Sequence, residues 1–66
     1  MQIVVNGSSQ ELDSKATVGR LLEKLNLAPI RVAVELNEKL VPRKDFDHTG
    51  LNPGDRLEIV TFVGGG

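Results

Sequence analysis

The sequence predicts an α+β fold, a mixed sheet of four to five strands packed on one helix. Three observations carry this reading. Apolar residues alternate through Met1, Ile3 and Val5 and then meet the turn signal Asn6-Gly7. The period changes to a helical one at Val18, Leu21, Leu22 and Leu25. Strict alternation returns at Val32, Val34 and Leu36.

Each element follows from local chemistry. Asn6 and Gly7 both tolerate positive φ, so they suit a tight hairpin turn. The more polar stretch from Ser8 to Leu12 then reads as a short or half-exposed second strand. The stripe at i, i+3, i+4 and i+7 forms one apolar helix face, with Arg20, Glu23 and Lys24 on the wet side. Thr17 is placed to cap the first turn through its hydroxyl. Gly19 weakens that turn by up to about 1 kcal/mol relative to alanine. Asn26 can close the helix, and Pro29 forbids its continuation. Asn37-Glu38-Lys39 reads as a turn, and Leu40-Val41 as a short strand ended by Pro42. Residues 43–49 read as a loop or a single helical turn. Asn52-Pro53-Gly54-Asp55 has the residues of a type II turn, with proline fixing φ and glycine supplying positive φ. A last strand runs from Arg56 to about Val63. The first and last strands carry the apolar content of central strands and are expected to be neighbours.

Composition excludes several classes of function. With 66 residues the chain is expected to form one domain, residues 1–63, followed by a flexible glycine tail, residues 64–66. A chain this short buries only about 60% of its unfolded surface. Cysteine is absent, so disulfides and thiolate metal sites are excluded, and the single histidine cannot build a zinc site alone. Eight basic and nine acidic side chains leave a net charge of −1. That balance provides no electrostatic footprint for nucleic acid or anionic lipid. Phe46 and Phe62 are the only aromatics, too few for a base-stacking platform. No signal-peptide pattern is visible, and no apolar run approaches the roughly 20 residues of a membrane span. A cytoplasmic location is expected.

No catalytic constellation is legible. His48 has no cysteine partner, and Ser8, Ser9 and Ser14 lie in no nucleophile-elbow context. Asp45 and Asp47 lack calcium-loop spacing and fit a solvated loop. Gly64-Gly65-Gly66 is no phosphate loop, since no lysine and helix follow. These glycines follow the strand directly, with no tag residue after them. Three extended residues reach about 10 Å. Lacking Cβ atoms, they can thread a narrow cleft and take any φ an enzyme imposes. A terminal carboxylate is an anion at neutral pH and a poor electrophile. It must become a mixed anhydride, such as an acyl-adenylate, before a nucleophile attacks. In a chain without cysteine, sulfur could be attached only at the terminal carbonyl.

The sequence resembles the ThiS family of bacterial sulfur carriers over essentially its whole length. The resemblance lies in Met1-Gln2-Ile3-Val4-Val5-Asn6-Gly7, Thr17-Val18, Val32-Ala33-Val34-Glu35-Leu36-Asn37 and Val41-Pro42-Arg43. It continues through Gly54-Asp55, Leu57-Glu58-Ile59-Val60 and the closing Phe62-Val63-Gly64-Gly65-Gly66. It implies a β-grasp, ubiquitin-like topology; periodicity alone leaves several α+β arrangements open. It also implies a route. A ThiF-type enzyme would adenylate Gly66 with ATP, and a relay from a cysteine desulfurase would convert it to a thiocarboxylate. Thiazole synthase would then take the sulfur into the thiazole ring of thiamin. The carrier would be a substrate rather than an enzyme and would hold no cofactor, with Gly64 and Gly65 threading into the partner.

On the last strand Leu57, Ile59 and Thr61 point one way, and Glu58, Val60 and Phe62 the other. If the first set faces the helix, Val60, Phe62 and Val63 make an apolar docking patch beside the tail. The loop around Phe46 could instead cover it. Arg43 and Arg56 could add charged contacts or be simply solvated. Two further readings stay open. One is a carrier of the molybdopterin synthase small-subunit type, which shares fold and chemistry but delivers sulfur to a pterin precursor. The other is a β-grasp binding module with no C-terminal chemistry.

Overall fold

The computed structural model describes residues 1–62. Val63 and the expected tail Gly64-Gly65-Gly66 lie outside the described residues. Asn6 and Gly7, at φ 50° and 84°, join β1 (Gln2–Val5) to β2 (Ser8–Glu11). Positive φ at both central positions matches the right-handed twist of the flanking strands. Val5 accordingly pairs with Ser8 and Gln2 with Glu11.

The helix α1 (Val18–Lys24) begins where the sequence places it. Each of its first three amides has an acceptor outside the helical ladder. Val18 N–H donates to Thr49 O at 3.0 Å, Gly19 N–H to Phe46 O at 2.9 Å, and Arg20 N–H to Thr17 Oγ1 at 3.2 Å. The helix start is therefore built from the distant segment 46–49 as well as from its own cap. Gly19 has a second reason to be glycine. A Cβ there would sit 2.1 Å from Asp47 Oδ1, so the carboxylate occupies the side-chain space. At the other end Asn26 takes φ 62°, with Leu27 N–H donating to Leu22 O and Asn26 N–H to Glu23 O. Those two bonds satisfy carbonyls that a helix C-terminus leaves free.

Pro29–Arg31 forms a 3₁₀ turn that places Arg31 outside the following strand, β3 (Val32–Leu36). The connection to β4 (Lys39–Val41) is tighter than the expected three-residue turn. Lys39 already pairs with Leu36, and the turn is Asn37-Glu38 alone, at φ 51° and 71°. Arg43–Asp45 is a single 3₁₀ turn. Gly54 takes φ 84°, and Asp55 N–H donates to Asn52 O at 3.1 Å, as a type II turn requires. The last strand, β5 (Arg56–Thr61), stops two residues short of Val63.

The five strands are ordered β2-β1-β5-β3-β4. β5 is central, parallel to β1 and antiparallel to β3. The core lies between one sheet face and the helix. Ile3, Val18, Leu21, Leu22, Val34 and Leu57 are its fully buried members. Phe46 belongs to it as well, at 3% exposure, and does not cover the far side of the sheet. Leu25 packs half-buried at its edge.

Two asparagines complete the ladder of β5. Asn6 N–H donates to Leu57 O at 2.9 Å, as a parallel neighbour should. The next bond of that ladder would run from Ile59 N–H to the Asn6 carbonyl, but the left-handed turn carries that carbonyl away. The Asn6 side chain replaces it: Oδ1 accepts from Ile59 N–H at 2.8 Å, and Nδ2 donates to Ile59 O at 3.1 Å. Asn37 does the same on the other side. Its N–H donates to Arg56 O at 2.7 Å, and its Oδ1 accepts from Arg56 N–H at 3.0 Å. Asn37 Nδ2 also donates to Asp55 Oδ1 at 3.1 Å.

The Met1 ammonium donates to Glu11 Oε2 at 2.8 Å and to Leu12 O at 2.6 Å, fastening the outer edge of the β1–β2 hairpin. The hydrogen bond from this ammonium, then its charge, holds the Glu11 carboxyl below its ordinary value of 4.5. A lowered native pKa stabilises the fold above the unfolded value, and that contribution is lost as pH falls through the native one. Glu11→Gln should thus flatten the loss of stability below pH 4.5, read by denaturant melts across pH. Asn6→Gly keeps the positive φ but deletes the carboxamide. With two hydrogen bonds at about 0.5–1.5 kcal/mol each, it should cost about 1–3 kcal/mol in urea unfolding.

Candidate functional site

The alternation of β5 decides what surrounds the approach to residues 63–66. Leu57 and Ile59 enter the core, which turns Glu58 and Val60 to the open face of the sheet. Thr61, the register partner of Val32, is exposed at the sheet's end rather than covered by the helix. Phe62 follows the strand, and its N–H still donates to Arg31 O at 2.8 Å. The chain is therefore held to its neighbour up to the last described residue.

Val60 is 59% exposed and Phe62 48%, large values for apolar side chains in a chain this small. Of the residues expected at the docking patch these two are described. Val63, the threading residues Gly64 and Gly65 and the attachment residue Gly66 lie outside the described residues. Sequence reasoning missed two further exposed apolar side chains, Leu40 at 68% and Ile30 at 70%. Alternation was the signal for Leu40. With Val41 opposite the buried Val34, Leu40 falls opposite Glu35 on the open face. Ile30 sits in a 3₁₀ turn, which leaves no comparable period.

The segment that holds the polar candidates is tied into the fold by Arg43 and by its backbone. Arg43 Nε donates to Pro29 O at 3.1 Å, joining two 3₁₀ turns. Asp47 stands over Gly19, and Thr49 Oγ1 donates to Asp45 O at 2.7 Å. His48 is exposed, and its backbone N–H donates to Asp45 O. Among the described residues no group of His, Cys, Asp or Glu is placed to hold a metal ion, and no helix is long and apolar enough to cross a membrane. What the described part offers is a surface: a sheet with exposed apolar side chains leading to the strand end from which the glycines continue.

Comparison with known proteins gives this surface a context. The sequence model of the ThiS family matches residues 3–66, a span that includes the glycine triplet. The structure of a thiamine biosynthesis protein, ThiS, from Geobacter metallireducens superposes with a TM-score of 0.83 at 38% identity, covering 100% of both chains. The sulfur carrier protein ThiS of Escherichia coli is 29% identical, again over the full length of both. A thiazole synthase of Paramagnetospirillum magneticum is 41% identical over 66 residues, and this chain spans 20% of that protein's length. A β-grasp sheet in this strand order, with the family match running from the first strand through the final glycines, means that the chain belongs to the ThiS family.

Proposed function

We propose that this protein is a sulfur carrier of thiamin biosynthesis whose Gly66 carboxylate bears the sulfur. The carrying observation is the family match, which extends through Gly66. The chemistry runs in three steps: adenylation, sulfur transfer and reduction. The Gly66 carboxylate attacks the α-phosphorus of ATP on a ThiF-type enzyme, forming the acyl-adenylate and releasing pyrophosphate. A persulfide sulfur from a cysteine desulfurase relay then attacks the carbonyl and AMP leaves, giving an acyl disulfide, and a thiol reductant cleaves its S–S bond, leaving the thiocarboxylate and the relay's cysteine thiol while the reductant becomes a disulfide. The body, residues 1–63, presents the tail, and residues 64–66 enter the partner's cleft. Dependence on ATP suits a cytoplasmic setting.

Thiazole synthase is the acceptor favoured here over a pterin-forming partner. The reason is the relative named thiazole synthase, which has a stretch 41% identical to this chain within a much longer protein. A carrier-like stretch and a thiazole synthase share one polypeptide there, which argues that the two act together. Val60 and Phe62 would seat the carrier on its enzymes, with Val63 extending the patch.

Two outcomes test this. Incubation with ATP, a ThiF-type enzyme, a cysteine desulfurase and cysteine should raise the intact mass by one sulfur in place of one oxygen. The change should map to Gly66 and vanish without ATP; an unchanged mass beside a converted control carrier would refute the assignment. Val60→Ser with Phe62→Ser should weaken pull-down of the ThiF-type enzyme while stability stays within about 0.5 kcal/mol per exposed site. Undiminished pull-down would remove the patch from the docking surface.

A further inference from the structure

The turn Asn6-Gly7 is a chemical weak point as well as a structural joint. Asparagine is thermolabile, because the backbone nitrogen that follows it can attack its side-chain carbonyl. The asparagines of the chain are Asn6, Asn26, Asn37 and Asn52, and only Asn6 is followed by glycine. With no Cβ on Gly7, the attacking nitrogen is unhindered. Leu27 and Glu38 carry side chains beside the nitrogens that follow Asn26 and Asn37, and Pro53 after Asn52 has no N–H to give up. Asn6 and Gly7 are both exposed, and a Cβ built on Gly7 would meet nothing within 4 Å. The turn therefore has room for a ring and access for water.

In the folded protein the attack is blocked. The carboxamide is held at both ends, with Oδ1 accepting from Ile59 N–H at 2.8 Å and Nδ2 donating to Ile59 O at 3.1 Å. The carbon between those two atoms cannot swing onto Gly7 N while both bonds stand.

We propose that Asn6 is a site of spontaneous deamidation, latched shut by Ile59 while β1 and β5 stay paired and released when they part. The reaction needs only water. Gly7 N loses its proton and bonds to Asn6 Cγ, the bond from Cγ to the side-chain nitrogen breaks, and ammonia leaves. Water then opens the cyclic imide at either carbonyl, giving aspartate or isoaspartate. Aspartate can still accept from Ile59 N–H, but its other oxygen sets an acceptor against Ile59 O where a donor stood. Isoaspartate adds a carbon to the backbone and breaks the pairing of Val5 with Ser8. A chain that deamidates while open closes less well, so each opening is a chance of permanent loss. The step goes beyond sulfur carriage and does not depend on it.

The test is incubation of the protein at neutral pH, with and without guanidinium chloride, followed by peptide mapping and by amide exchange at Ile59. Replacement of NH by O at Asn6 should be at least about tenfold slower in the native protein than in the unfolded chain. Below the unfolding transition it should rise with denaturant in step with Ile59 exchange. Asn6→Gly should show no such mass change. Asn6→Asp, which keeps the tolerance of positive φ, should melt at least about 4 °C below wild type. Deamidation as fast in the native as in the unfolded chain would overturn the latch, as would a rate that stays flat while Ile59 exchange rises. Earlier deamidation at another asparagine would overturn the site, and an unchanged melting temperature for Asn6→Asp would overturn the loss on closing.

Discussion

The structure depends on how the hydrogen bonds of β5 are satisfied. The strand lies between a parallel neighbour and an antiparallel one, and each neighbour leaves the sheet through a left-handed turn beside it. A turn of that kind swings a backbone carbonyl out of the ladder. Missing acceptors would leave unpaired the Arg56 amide, at the exposed start of the strand, and the part-buried Ile59 amide, and an unpaired amide withdrawn from water costs about 1–3 kcal/mol. Asparagine solves both halves of the problem. It tolerates positive φ, and its carboxamide oxygen stands where the lost carbonyl would have been. Glycine could make either turn but could not restore either bond.

A second long-range arrangement seats the helix. The amides of Val18 and Gly19 are satisfied by carbonyls of residues 46–49, and Phe46 in the same segment fills the core. Asp47 closes over the side-chain space of Gly19. The apparent weakness of glycine in a first helical turn is thus the condition for close approach of a loop that also caps that turn. Helix, sheet and loop settle around β5, whose two ends then have different work. Its start and middle are tied by Asn37 and Asn6, and its far end carries exposed Val60 and Phe62 toward the glycines.

Much of this was legible in the sequence because the signals were periodic or local. The helical stripe, the Thr17 cap, the Asn6-Gly7 turn and the type II turn all follow from spacing and turn chemistry, and the central pairing of first and last strands was expected from their apolar content. The outward face of Val60 and Phe62 followed from alternation once Leu57 was assigned to the core. The rest depended on contacts distant in sequence. Asn6 and Asn37 read as turn residues, and nothing local shows that Asn6 bonds a residue 53 positions away. Phe46 sits in a stretch without period, so its burial depends on the helix it meets. Glu38 held no glycine-like cue for its positive φ; the hairpin register imposes it.

Native-state amide hydrogen exchange, read residue by residue, tests this account most directly. If the carboxamides truly complete the ladder, the Ile59 and Arg56 amides, which donate to Asn6 Oδ1 and Asn37 Oδ1, exchange only through global unfolding. Their opening free energies should equal those of amides bonded to backbone carbonyls elsewhere in β5. Fast exchange of these two by local opening, beside well-protected neighbours, would mean that the side chains do not hold the strand and would contradict the account.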